Sequence, residues 1–185
     1  MSPPNSLHAN PFYILGVTTR DDRRKIVEMA EERSLHLDHD TCQKARSDLT
    51  NPRARLSAEM AWMPGVAPRM AEQLATRLVE DLHLVWFENG LPALARANLM
   101  AAAFELIDDD DDAESIAKFI TDFCWVVESI DADHVLRDVN EDRAISGFPD
   151  VKGIEAIEDE LVARRKTYRS VLKDLLDSID PDKLV

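Results

Sequence analysis

The densest set of chemically capable side chains in this 185-residue chain is His36-Leu37-Asp38-His39-Asp40-Thr41-Cys42. His36 and His39 stand three apart and can share one helical face, with Cys42 a turn later, and zinc accepts such ligands. A helix end or tight joint rarely aims all of them inward, and no second ligand pair is recognisable in the sequence. Three readings of the segment therefore stand side by side: a metal site, a loop that touches a partner, or a solvated joint. No metal or other cofactor is expected.

The remaining candidates favour plainer roles. Asp108–Asp112 is a run of five carboxylates. It lacks the glycine at loop position six and the glutamate at position twelve of a calcium-binding EF-hand, so it reads as a solvated turn that caps the next helix. Cys124, in Phe123-Cys124-Trp125, adjoins an apolar stripe and reads as a buried thiol. His83, between Leu82 and Leu84, reads as a half-buried helical residue. Trp62, Trp86 and Trp125 read as core anchors, with Trp86-Phe87 alternatively an exposed docking patch. Arg20, Arg23, Arg24 and Lys25 form a short basic cluster without interleaved aromatics, offset by neighbouring acids, which is a poor nucleic-acid surface. Arg164-Arg165-Lys166 reads as one solvated turn. The chain has no glycine-rich phosphate loop, no Gly-x-Ser-x-Gly and no Cys-x-x-Cys, and holds only five glycines. An enzyme is not expected.

The elements that position these residues are helical throughout. Asn10-Pro11 is an N-cap with proline in the first turn, and Leu15-Gly16 ends a brief helix. Thr18 and Thr19 offer caps, with Asp21 and Asp22 in the first turn of a helix from about Arg20 to Leu37. Ile26, Met29, Ala30 and Leu37 lie on one side of it. After the polar joint, a helix runs from about Cys42 past Asn51-Pro52 towards Met60. Trp62-Met63-Pro64-Gly65 is a stop, and a domain boundary is placed there. Pro68 to Glu88 reads as one helix ended by Asn89-Gly90. An alanine-rich, buried helix follows from Pro92 to Ile107. Ile116, Phe119, Ile120, Phe123, Val127 and Ile130 then form an amphipathic stripe. Asp133 to Ile145 is a short helix, broken at Gly147-Phe148-Pro149. Asp150 caps a long last helix, with Ile154, Ile157, Leu161, Tyr168, Leu172, Leu175 and Ile179 on one face, ended by Asp180-Pro181. The expected fold is all-α. A loose arm over 1–9 precedes a small helical module over 10–65 and an acidic helical bundle over 66–185.

Charge separates the two parts. The chain carries 22 Lys/Arg against 36 Asp/Glu, a net charge of −14. Residues 1–65 hold nine of each, so the whole imbalance lies beyond residue 65. A polyphosphate partner is disfavoured there, because binding one needs clustered Lys/Arg. The two cysteines, Cys42 and Cys124, form no paired framework. No secretory signal is evident before residue 30, and no apolar run approaches the roughly 18–20 residues that span a bilayer. A cytoplasmic protein that uses neither membrane nor nucleic acid is expected.

Two phrases resemble a known family. Asn10-Pro11-Phe12-Tyr13-Ile14-Leu15-Gly16-Val17 looks like the opening of a J domain, and Ile26 falls eleven residues after Leu15, as the first core isoleucine of that family's second helix does. Ala45-Arg46-Ser47-Asp48-Leu49-Thr50-Asn51-Pro52-Arg53-Ala54-Arg55 is similar to the end of the family's third helix. The resemblance covers roughly residues 10–62, about a third of the chain. J domains stimulate a heat-shock-type ATPase through a His-Pro-Asp loop after the second helix. Here either Asp38-His39-Asp40, without a gap, or His36-Leu37-Asp38, with a two-residue gap, takes that place, and neither has the stiffening proline. The basic face usual on the second helix is interrupted by Glu28, Glu31 and Glu32, and Arg33 stands where a core leucine is typical. The resemblance implies a degenerate module that docks without stimulating ATP hydrolysis. Its contact residues would be Arg20, Arg23, Arg24 and Lys25 on the helix and His36, Asp38, His39 and Asp40 in the loop. Its partners would be a heat-shock-type ATPase and a client held by the acidic bundle. The alternative is a structural subunit of a stress or defence complex, with the J-like fold only a scaffold.

Overall fold

The computed structural model describes residues 6–78, 80, 88, 90–107 and 112–178. His83, Trp86-Phe87, Asp108–Asp111, Ile179 and Asp180-Pro181 lie outside the described residues. Within them the protein is all-α: α1 Pro11–Leu15, α2 Arg23–Arg33, α3 His39–Thr50, α4 Pro52–Met60, α5 Pro68–Arg77, α6 Ala93–Phe104, α7 Ala113–Glu128, α8 Ala132–Ser146 and α9 Ile154–Ser178. Among these, no helix is long and apolar enough to cross a membrane.

Local chemistry sets the element ends. Asn10 caps α1: its side-chain oxygen accepts from the Phe12 N–H at 3.0 Å while its amide donates to the Ala58 carbonyl at 2.9 Å. Gly16 closes α1 at φ +64°, a conformation that favours glycine. The helix expected from Arg20 starts only at Arg23. Asp22, not a threonine, is the cap and accepts from the Lys25 N–H at 2.8 Å. It also ends early, at Arg33, where the Ser34 hydroxyl donates to the Ala30 carbonyl and the chain turns through Leu35–Leu37. Leu37 therefore leaves the core face and is exposed.

The single helix expected from Cys42 to Met60 is two. Asn51 is extended, as a residue before proline is driven to be, and its side chain caps α4 by accepting from Arg53 and Ala54. The last helix starts at Ile154 rather than after Asp150. Before it, Asn140 holds Val151 by two bonds, amide to carbonyl at 3.1 Å and N–H to amide oxygen at 2.8 Å. That keeps Val151 out of helical pairing.

One continuous buried cluster runs from Leu7 to Leu175, so the boundary at residue 65 does not separate two cores. The described part of the expected loose arm belongs to it. Leu7 is buried, the Ser6 N–H donates to Glu105, and the His8 ring bonds the Ala75 carbonyl at 2.8 Å. In α6, ten of twelve residues are buried, the small alanines letting neighbouring helices approach closely. In α7, Ile116, Phe119 and Phe123 face inward, as does Ile130 just after it, while Ile120 and Val127 are half-buried. Phe119, Phe104, Phe123 and Tyr168, in that order, form an aromatic chain with successive centroids 4.7–5.4 Å apart.

Candidate functional site

Helices α2 and α3 pack against each other through Ile26, Ala30, Cys42, Ala45 and Leu49, all buried. Only residues 34–38 connect them, so they form an antiparallel hairpin with that loop at its tip. Leu35 is 78% exposed and Leu37 44%, and His36, Asp38, His39 and Asp40 are all exposed. Asp38 alone has internal work. It caps α3, accepting from the Thr41 N–H and hydroxyl, both at 2.8 Å. Those two bonds hold its carboxyl below the usual carboxylate range, with a smaller push from His39. Among the described residues, the side chains of His36, His39 and Asp40 make no hydrogen bond or ion pair. Cys42 turns into the core while both histidines face solvent, so the three do not converge. No group of His, Cys, Asp or Glu among the described residues could hold a metal ion.

The basic cluster lies at the far end of α2, roughly 16 Å from the loop at 1.5 Å per residue. Its four members divide into two pairs. Arg20 is committed internally, its Nε donating to Asp142 at 2.8 Å. Arg23 donates to the Thr50 carbonyl at 3.1 Å and lies 5.7 Å from the Phe148 ring centroid. Arg24 and Lys25 project freely, apart from an exposed 3.6 Å pair between Lys25 and Glu28.

A second cluster joins the N-terminal helices to the bundle and is buried. Arg55 has no exposed surface, Glu59 and Asp142 are 1% exposed, and Arg143 is 4%. Arg55 donates to Glu59 at 2.8 Å and to the Thr19 carbonyl at 3.0 Å, and lies 3.7 Å from the Phe148 ring centroid. Arg143 binds Glu59 from α8 at 2.7 Å and 3.0 Å and donates to the Pro149 carbonyl at 2.9 Å. Asp142 accepts from the Thr19 hydroxyl at 2.6 Å, from Arg20 and from the Gly65 N–H. Burial lowers the pKa of Arg55 and Glu59 pulls it back up; a guanidinium stays charged regardless. Two buried cations meet two buried anions, so the seam is balanced, with Arg20 at its rim. Its burial leaves no face for a substrate, and its role is to clamp α4 to α8 and to the segment between α1 and α2.

Sequence reasoning noted Arg55 only as part of a motif and passed over Glu59, Asp142 and Arg143. The i,i+4 spacing of Arg55 and Glu59 was the one local signal. Asn98 was also missed. Its amide donates to the Met60 and Trp62 carbonyls at 2.9 Å and 2.6 Å, while its oxygen accepts from Arg164 and the Tyr168 hydroxyl, both at 2.7 Å. Arg164 is thus half-buried and bonded rather than part of a solvated turn. Burial raises the Tyr168 pKa above its ordinary value.

Two further expectations are corrected. Cys124 is exposed, and Trp125 is 70% exposed. The helical period that sends Phe123 and Val126 inward turns the two residues between them outward. Trp62, by contrast, is a core residue. At the acidic run, Asp112 caps α7 by accepting from the Ser115 N–H and hydroxyl, which lowers its pKa. Comparison of the chain with protein-family models, curated proteins and solved structures gave no match.

Proposed function

We propose that this chain is a non-enzymatic adaptor of the J-domain-like kind, cytoplasmic, which docks on a heat-shock-type ATPase through the tip of the α2–α3 hairpin. One observation carries this reading. Leu35, His36, Leu37, His39 and Asp40 stand exposed at the tip of the hairpin, and the side chains of the polar members among them bond to nothing else among the described residues. Exposed leucines beside unsatisfied polar groups are what a docking knob requires. Arg24 and Lys25 add positive charge on the same helix. With Arg20 and Arg23 each bonded within the chain and no proline in the loop, the expected outcome is binding without stimulated ATP hydrolysis. The acidic bundle, net −14, would hold a client or second partner of basic surface.

The test uses the full chain and a purified heat-shock-type ATPase from the native host. Binding that weakens with salt and is lost in His36→Ala/His39→Ala/Asp40→Ala and in Arg24→Glu/Lys25→Glu is the expected result. Asp38 is left intact because it caps α3. Undiminished binding by both variants, or none by the wild type, rules the reading out.

The buried seam favours a second reading, a structural subunit of a stress or defence complex. The N-terminal helices are clamped to the bundle by Arg55, Glu59, Asp142 and Arg143, which suits a fixed scaffold better than a swinging module. A complex with another protein that survives size-exclusion chromatography without any ATPase supports it.

A further inference from the structure

Between α1, the residues after it and α5 lies a cavity of about 200 Å³, walled by Phe12, Val17, Trp62, Met63, Val66 and Ala71. These six residues are at most 5% exposed and form an apolar floor, while Thr18, Thr19, Arg33, Glu72 and Thr76 make the rest of the lining polar. A cavity of roughly 150 Å³ already admits benzene. The space is partly open to solvent at Tyr13, itself 37% exposed.

One charged group stands out in the lining. Arg33, the last residue of α2, reaches over Gly16 so closely that a Cβ at Gly16 would collide with its guanidinium. The absence of a side chain at Gly16 is what lets the cation sit there. Arg33 is half-buried, yet among the described residues its guanidinium makes no hydrogen bond and no ion pair. This contrasts with Arg55, Arg143 and Arg164, each satisfied by carbonyl or side-chain oxygens. Glu72 also lines the cavity, exposed, and forms no ion pair with Arg33. A permanent cation, partly desolvated, above the apolar floor of a cavity of mixed polarity recognises an anion attached to a partly apolar body. A planar carboxylate matches the guanidinium fork best.

We infer that this cavity binds a small carboxylic acid with an apolar, phenyl-sized body, its carboxylate held by Arg33. Plain acids and apolar α-amino acids share that chemistry. Glu72 distinguishes them, since only an amino acid brings an ammonium group for it.

The experiment titrates the chain with 3-phenylpropionate, with the neutral 3-phenylpropan-1-ol and with phenylalanine, following calorimetry and tryptophan fluorescence in a Trp86→Phe/Trp125→Phe background that leaves Trp62 as the emitter. The acid is expected to bind about tenfold or more tightly than the alcohol, as a charge-assisted bond predicts. Arg33→Gln, at a half-exposed position with no bond to lose, should erase that preference and leave alcohol binding unchanged. Ala71→Leu should weaken both ligands by filling the cavity. Phenylalanine binding more tightly than 3-phenylpropionate, with the gain lost in Glu72→Gln, marks an amino-acid site; weaker binding marks a plain-acid site. Equal affinity for acid and alcohol, an acid preference that survives Arg33→Gln, or no saturable binding of 3-phenylpropionate overturns the inference. None of these readouts depends on a partner protein.

Discussion

The seam around Glu59 and the loop around His36 are both rich in ionisable groups, and the fold treats them in opposite ways. In the seam, Arg55 and Arg143 meet Glu59 and backbone carbonyls, and Asp142 accepts from a threonine hydroxyl, at 2.6–3.0 Å and with at most 4% exposure. In the loop, His36, His39 and Asp40 face water with no intramolecular bond among the described residues, beside leucines that are 78% and 44% exposed. Buried charge must be matched inside the molecule, because desolvation without a partner is prohibitive. Exposed charge keeps its capacity for something else. The seam is therefore where the fold spends polar groups on architecture, and the loop is where it leaves them available. The basic cluster shows the same division within six residues: Arg20 and Arg23 serve the architecture, Arg24 and Lys25 do not.

Substitution in the seam should give the largest effect. Glu59→Gln leaves Arg55 and Arg143 facing each other in the core, and should cost about 3–5 kcal/mol in urea unfolding. A triple replacement, Arg55→Met/Glu59→Leu/Arg143→Met, should recover most of that stability. If Glu59→Gln proves silent, the two regions do not differ as described. Asn98→Ala comes next. It strands the Met60 and Trp62 carbonyls and the Tyr168 hydroxyl, for a loss of about 1–3 kcal/mol by the same assay.

Acid titration sharpens the contrast inside the loop itself. Asp38 has a folded pKa below its unfolded one, so its cap contributes fully above the ordinary carboxylate range, and the contribution disappears as pH falls through the folded value. Melting temperature followed below about pH 5 should therefore fall less steeply in Asp38→Asn, which retains an acceptor but does not titrate. The smallest stability effect belongs to His36→Ala/His39→Ala, expected within about 0.5 kcal/mol of wild type. A loss well beyond that would mean the loop is architectural after all.

Much of the fold was legible because helix ends are decided locally. Asn10-Pro11, Gly16 and Asp112 act on their own neighbours within four residues, and all three act in the structure as caps or stops. The errors arose where two local signals competed. Asn51-Pro52 reads as a continuation of α3 until the restriction before proline is given its full weight. Trp125 and Cys124 look apolar by type but fall on the outward side of their helix.

All-α architecture, the apolar faces of α6, α7 and α9, and the placing of all net negative charge beyond residue 65 were thus set by the order of residues alone, since each depends on periodicity or composition; the polar joint expected over Asp38–Thr41 falls instead on residues 34–38, with His39 already helical. The partnership of Glu59 with Arg143, 84 residues away, the grip of Asp142 on Thr19, the node at Asn98 and the solitary guanidinium of Arg33 over Gly16 were decided only when the helices packed. No spacing rule spans such separations. A buried charge finds its counter-charge in space, and whether a given arginine is satisfied or left over is known only from what the tertiary structure brings beside it.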